Sequence, residues 1–291
     1  MADIIFPNLG ISIDSLSPIA FTPFGLFGVY WYAIFVVIGI VAGVYFGGIY
    51  APKKTGQDTK IYENFAFWVI PAAILGGRLF YVIFADWQPQ SIIDVFNLRL
   101  GGIGIWGVII TAVAVAAIYC RRKKISFWNF MDTGIVGLII GHVIGRFGNF
   151  TNREAFGGVA SDSAPFAMQL RVDQVRGFES LPEVVQNSAF QQFGLQYIQV
   201  HPVFFYEAAI NLALFIFLNF YRKHKKFNGE LVAIYFLSYG ITRFFLEFMR
   251  VDPLMVGNVA TAHILSAAAA IFGLGFLISG HINRKKPAKK A

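Results

Sequence analysis

The sequence predicts an all-α polytopic membrane protein with seven transmembrane helices, and three observations predict it. Of the 291 residues 56% are hydrophobic and only 14% charged, and the mean hydropathy is +0.60, outside the range of soluble globular chains. The apolar residues gather into seven runs long enough to cross a bilayer. The lysines gather in alternate connections between those runs, as they do in short cytoplasmic loops.

The runs cover residues 26–50, 64–85, 103–120, 128–150, 203–221, 231–249 and 260–279. All twelve lysines lie in the first connection (Lys53, Lys54, Lys60), the third (Lys123, Lys124), the fifth (Lys223, Lys225, Lys226) and the tail (Lys285, Lys286, Lys289, Lys290). Arg121, Arg122, Arg222 and Arg284 join them. The expected topology therefore has the N-terminus outside and the C-terminus cytoplasmic. The net charge of +8 is mainly an effect of these loops; it suits a bilayer with anionic lipid and gives no argument for a nucleic-acid partner.

Residues 1–150 are read as a membrane body of helices 1–4, residues 201–283 as helices 5–7, and residues 284–291 as a basic cytoplasmic tail. Between helices 4 and 5, residues 151–200 form a connection far longer than a tight link and are expected to be a small extracytoplasmic module. Residues 1–18 carry Asp3 and Asp14 without a basic stretch before an apolar run, so no cleavable signal is expected. The single cysteine, Cys120, ends the third run and reads as structural. No internal repeat is visible, which counts against an inverted-repeat transporter. The dispersed histidines give no metal site, and no cofactor is expected.

The remaining cations, Arg78, Arg99, Arg146, Arg153, Arg171, Arg176, Arg243 and Arg250, are all arginines, whose planar donor fork suits phosphate or carboxylate. Propagating the topology at about 1.5 Å per helical residue puts Arg78, Arg146, Tyr239, Arg243 and Glu247 in the outer halves of their spans, in one layer with Tyr32 and residues 101–107. Tyr239, Arg243 and Glu247 follow at i, i+4 and i+8 and share a helical face. An internal Arg243–Glu247 pair that fixes packing is one reading of that face. The other is a pocket for an anionic lipid headgroup, built by Arg78, Arg146 and Arg243 or a subset, with Asn149 and Asn152 as neutral donors. Three further signals have both structural and functional readings: His201-Pro202 with Phe205-Tyr206-Glu207, Gly101-Gly102 with Gly104, and Trp31 with its neighbouring tyrosines.

These residues resemble the prolipoprotein diacylglyceryl transferase family. The strongest match is Gly145-Arg146-Phe-Gly148-Asn149-Phe-Thr-Asn152-Arg-Glu154-Ala-Phe-Gly157, and Trp31-Tyr32, Gly76-Gly77-Arg78 with Tyr81, Gly101-Gly102, His201-Pro202 with Tyr206-Glu207, and Tyr239-Gly240 with Arg243, Glu247 and Arg250 follow in order along the chain. The resemblance implies a bacterial plasma-membrane enzyme that moves the diacylglyceryl group of phosphatidylglycerol onto the lipobox cysteine of a prolipoprotein signal peptide. It implies Arg146 and Arg243 as the principal phosphate-binding and catalytic arginines. Asn149, Glu154, Gly157 and Glu247 would support them, and Tyr32 and Tyr239 would line the lipid site. Where the family commonly has histidine after the paired glycines, this chain has Trp106, whose indole cannot accept a proton. His142, four residues before Arg146, is the candidate replacement as general base. An anionic-lipid flippase, which would use the same arginines without chemistry, and a paralogue that binds prolipoproteins without modifying them are the alternatives.

Overall fold

The computed structural model describes residues 2–285 except 86, 88, 98, 99, 252 and 258. Arg99 and the lysines of the tail beyond residue 285 lie outside the described residues. In chain order the strands and α-helices are β1 (Ala2–Phe6), β2 (Ile11–Asp14), β3 (Ile19–Phe21), β4 (Val29–Tyr30), α1 (Trp31–Gly43), α2 (Ala51–Thr55), α3 (Thr59–Phe84), α4 (Ile92–Phe96), α5 (Ile105–Lys123) and α6 (Phe127–Asn152). They continue as β5 (Met168–Arg171), α7 (Glu183–Gln186), β6 (Phe190–Gln192), β7 (Leu195–Val200), α8 (Val203–Tyr221), α9 (Glu230–Glu247), β8 (Met255–Val256), β9 (Val259–Ala260) and α10 (Thr261–Lys285). A π-helical stretch, Val44–Tyr50, joins α1 to α2.

Six helical segments among the described residues are long and apolar enough to cross a membrane: Trp31–Thr55, Thr59–Phe84, Ile105–Lys123, Phe127–Asn152, Val203–His224 and Thr261–Arg284. The protein is mostly helical and multi-pass. The one expected run outside this set, residues 231–249, also forms a helix, α9, whose 18 residues include Glu230, Arg243 and Glu247. It carries these three charged side chains within 18 residues, where each of the six has an apolar stretch of that length with at most two. The first helix begins later than the apolar run: β3 and β4 pair, with Ile19 opposite Tyr30 and Phe21 opposite Val29, so residues 26–30 turn back toward β3 before α1 starts at Trp31.

Two compact units divide the chain. In the unit Val44–Ile135, α3 and α5 pack through small residues, as apolar helices do when backbones approach closely. A Cβ on Gly107 would stand 2.4 Å from the Gly76 carbonyl oxygen. Gly101 and Gly102, at φ of +74° and +81°, turn the chain into α5, and the Gly104 N–H donates to the Gly77 carbonyl at 2.9 Å. Tyr62 stacks on Phe130 at 4.7 Å, and Cys120 is buried beside them.

The other unit, residues 1–43 and 136–291, holds a five-stranded antiparallel sheet of order β2-β1-β5-β7-β6. Three strands come from the long connection after α6 and two from the N-terminus. Ile4 lies opposite Leu170, and Met168 to Arg171 run against Val200 to Tyr197. Their inward side chains, Ile4, Met168, Leu170, Ile198 and Val200, pack with Phe156 and with Phe204 of α8 in one hydrophobic core. That core fixes the end of α6 against the start of α8.

Candidate active site

Arg146 sits about one and a half turns before the end of α6, with its side chain 22% exposed. Its Nη2 meets Glu207 Oε1 of α8 at 2.7 Å. The other oxygen of Glu207 faces Arg243 Nη1 of α9 at 3.6 Å. Arg243 Nη2 lies 2.5 Å from Glu247 Oε2, one turn further along the same helix, and Arg250 Nε is 3.9 Å from that oxygen. Three helices thus contribute to an alternating series that begins and ends on arginine. With both carboxylates ionised it has three positive and two negative charges, a surplus of one positive charge.

Glu207 and Glu247 are 1% and 4% exposed, whereas the side chains of Arg243 and Arg250 are 15% and 17% exposed. The carboxylates are therefore interior and the guanidinium groups reach the margin. Arg243 Nη1 has no hydrogen-bond partner among the described residues, because its approach to Glu207 is a charge contact too long for a good hydrogen bond. That nitrogen is itself buried, so an incoming anion would meet the exposed parts of the Arg146 and Arg243 side chains, which have carboxylates behind them.

Asn149 extends the series. Its Oδ1 accepts from Arg146 Nη1 at 3.4 Å, and its Nδ2 donates to Glu154 Oε1 at 3.0 Å. Asn152 donates to the same Glu154 oxygen at 3.3 Å. The aromatic members flank this network. The Tyr32 ring of α1 covers Gly148, where a Cβ would stand 2.7 Å from the ring. Tyr239 stacks on Tyr235 at 5.5 Å and faces His142 at the same centroid distance, while His142 Nδ1 is 3.3 Å from the Tyr235 hydroxyl.

Gly157 has a specific reason to lack a side chain. A Cβ there would lie 2.9 Å from Val203 Cγ2, 3.0 Å from His201 Cβ and 3.0 Å from the Met249 carbonyl oxygen. In that space its N–H donates to the His201 carbonyl at 2.8 Å, and the Gly158 N–H donates to the Met249 carbonyl at 2.8 Å. His201 N–H returns a bond to the Gly158 carbonyl at 3.0 Å. The strand-like segment after α6 is thereby stitched to the start of α8 and the end of α9.

The structure brings together Arg146, Asn149, Asn152, Glu154, Arg243 and Glu247 in one polar network, with Tyr32, His142, Tyr239 and Gly157 packed in the same unit. Arg78 belongs to the other unit and has a different environment. It is 1% exposed and donates through Nε to Val95 O at 2.9 Å, through Nη2 to Asp94 O at 2.7 Å, and through Nη1 to the carbonyls of Gly101 and Gly102. Its Cζ lies over the Trp87 ring at 4.6 Å. Trp106, also of that unit, stands 42% exposed in the first turn of α5. Glu207 is the residue whose place in the site the sequence reading missed. The signal was present: an acidic side chain in an otherwise apolar run must face a partner inside the protein.

A multi-pass membrane protein whose helices enclose partly exposed arginines backed by buried carboxylates has the architecture of a protein that handles an anionic group at the membrane. The family model for prolipoprotein diacylglyceryl transferase matches residues 18–279, and the chain belongs to that family. It is 33% identical over 280 residues to the phosphatidylglycerol–prolipoprotein diacylglyceryl transferase of Listeria welshimeri, covering 96% of this chain and 95% of that relative. Proteins of the same name from Finegoldia magna and Clostridioides difficile are 31% and 33% identical, each over 258 residues that make up 88% of this chain and 92% of the relative.

Proposed function

We propose that this protein transfers the diacylglyceryl group of phosphatidylglycerol to the lipobox cysteine of a prolipoprotein, the first step of bacterial lipoprotein maturation, with the Arg146–Glu207–Arg243 series as its catalytic centre. The observation that carries the assignment of the site is the pair of partly exposed arginines, Arg146 and Arg243, both anchored by the buried Glu207.

The chemistry gives these arginines a role beyond binding. The cysteine sulfur forms a bond to the terminal glycerol carbon of the diacylglyceryl group, and the carbon–oxygen bond to phosphate breaks. The thiol proton leaves to a base, and glycerol phosphate departs. A phosphodiester with one negative charge becomes a phosphomonoester with nearly two, so negative charge grows on the phosphate during the reaction. Fixed cations placed where charge develops stabilise the transition state more than the ground state. Arg146 and Arg243 hold the phosphate, with Asn149 and Asn152 offering neutral donors and Glu154 and Glu247 orienting them. Tyr32 and Tyr239 line the lipid site, and Gly157 lets the segment after α6 pass close to α8 and α9.

The substrate supplies the nucleophile, which accounts for the lack of a cysteine at the site: Cys120 is buried in the other unit. His142 takes the thiol proton. When its Nδ1–H donates to the Tyr235 hydroxyl, Nε2 keeps the lone pair a base requires. Arg78, with its donors engaged by the main-chain carbonyls of Asp94, Val95, Gly101 and Gly102, holds those residues in place instead of holding phosphate directly.

The enzyme lies in the bacterial plasma membrane with α9 as a seventh span. Its N-terminus and sheet are extracytoplasmic, and the basic tail is cytoplasmic. This orientation rests on the lysine alternation and brings the site to the leaflet from which secreted precursors present their lipobox. The direct test incubates purified protein with phosphatidylglycerol labelled in its diacylglyceryl group and a lipobox peptide bearing cysteine or serine at the acceptor. Label is expected on the cysteine peptide alone, with glycerol phosphate released in equal amount. Movement of lipid between leaflets without labelled peptide would point to a flippase.

A further inference from the structure

The segment that carries Glu154 ends α6 in an unusual way. The Arg153 N–H donates to Phe150 O at 3.0 Å and the Glu154 N–H to Asn149 O at 3.1 Å. This paired pattern is the Schellman termination of a helix, in which the residue after the last helical one adopts a left-handed conformation and is usually glycine. Here that residue is Arg153, at φ +54°, and Ala155 on the far side of Glu154 is also left-handed at φ +56°. Two residues with side chains therefore hold conformations that favour glycine, and such a turn persists only when its surroundings enforce it.

Those surroundings are visible. Arg153 is 2% exposed, and its Nη2 binds Asp3 Oδ2 of β1 at 2.9 Å and Leu16 O at 2.5 Å. Its Nε and Nη1 have no hydrogen-bond partner among the described residues, so the guanidinium is held through one corner. Asp3 Oδ1 in turn binds Arg171 Nη1 of β5 at 2.9 Å. The Tyr197 hydroxyl of β7 donates to Ala2 O at 2.7 Å, which fixes the strand that carries Asp3.

We infer that Asp3 is a positioning residue for the transfer reaction: by clamping Arg153 it holds the left-handed turn that aims the Glu154 carboxylate at Asn149, and through Asn149 it sets Arg146. The reaction readout rests on the function proposed above, whereas the turn itself is measurable without any activity. Asp3 and Arg153 touch neither of the reactive arginines, so their effect passes through the backbone of residues 153–155.

The separating experiment compares Arg153→Ala with Arg153→Gly. Both remove the buried cation, and only glycine accepts φ +54° without strain. Amide hydrogen exchange at Glu154 is expected to quicken about tenfold in Arg153→Ala, with kcat for labelled-lipid transfer about tenfold lower and KM for the peptide unchanged, while Arg153→Gly stays within about twofold of the parent in each. Asp3→Asn is expected to behave like Arg153→Ala, and Asp3→Asn combined with Arg153→Gly is expected to recover both readouts. Equal behaviour of the alanine and glycine variants, or no recovery in the double variant, overturns the clamp. If Asp3→Asn does not fold, the alanine–glycine pair still decides. If the parent protein transfers no label yet exchange follows the expected pattern, the clamp stands and the proposed function falls. The opposite combination spares the function and removes the clamp.

Discussion

Arg78 and Arg243 are both arginines inside apolar helices, and they are held in opposite ways. Arg78 is fully buried and faces neutral carbonyls, from Asp94, Val95, Gly101 and Gly102, with an indole across its plane. Arg243 reaches the margin, faces two carboxylates and leaves one donor without a hydrogen bond. Carbonyl dipoles satisfy a guanidinium by using its donors; carboxylates neutralise its charge while leaving donors available. The first arrangement spends the residue on structure. The second leaves part of the residue at the margin, where the phosphate of the proposed reaction would meet it.

Three substitutions break or sharpen that contrast. Arg146→Ala and Arg243→Ala are expected to lower kcat per folded molecule by at least about 10²–10³-fold, the usual loss when a donor to developing charge is removed, an effect larger than the fall in unfolding midpoint that follows from leaving the buried Glu207 or Glu247 short of a partner. Arg78→Ala is expected to do the reverse, lowering the unfolding midpoint and yield far more than turnover per folded molecule. The contrast collapses if Arg78→Ala loses turnover as completely as Arg243→Ala at normal stability.

Next in size, His142→Gln is expected to cost about 10²-fold in kcat through loss of the base. Retained turnover with an unchanged pH profile would remove His142 from the mechanism. Glu207→Gln tests the shared carboxylate. Breaking a buried pair on one side destabilises by about 3–5 kcal/mol, so a lowered unfolding midpoint is expected, recovered in part by added glycerol phosphate as a replacement anion. No ligand-dependent recovery would argue that the arginines do not take phosphate.

The smallest effect belongs to the sheet. Arg171 Nε donates to Asp173 Oδ1 at 2.6 Å and holds that carboxyl below its usual pKa. A carboxylate with a depressed native pKa stabilises the fold above its unfolded value and loses that contribution as pH falls through the native one. Asp173→Asn is thus expected to cost less than about 1 kcal/mol at neutral pH, because the side chain is 60% exposed. The difference from the parent should vanish below about pH 4, toward the native value. Unfolding midpoints measured from pH 7 to pH 3 check it.

Much of the site was legible because intramembrane charge is conspicuous. Arg146, Arg243 and Glu247 stand out in apolar runs, and helical spacing alone puts the last two on one face. Glu207 meets the same criterion, but it stands with the aromatic start of its helix and no local spacing ties α8 to α6 or α9. The sheet was hidden for a related reason. Ile4 pairs with Leu170 and Ile5 with Gln169 across more than 150 residues, and no short-range pattern announces such pairing. Burial in β5 also runs unbroken over Met168, Gln169 and Leu170 instead of alternating, which removes the usual signature of a strand. Sequence alone places the start of the first helix too early because residues 26–30 are mostly apolar and run straight into α1. Only their pairing with β3 distinguishes them.

The backbone stitches at Gly157, Gly158 and His201 give the ion cluster a freedom that its charges alone would deny it. Neutral peptide groups fix the spacing of the three chain segments that bear Arg146, Glu207 and Arg243. A phosphate arriving or leaving can therefore rearrange which oxygen each guanidinium faces without asking any helix to move. In the proposed reaction the charge at the centre would change with each turnover while these backbone hydrogen bonds between the segments are kept.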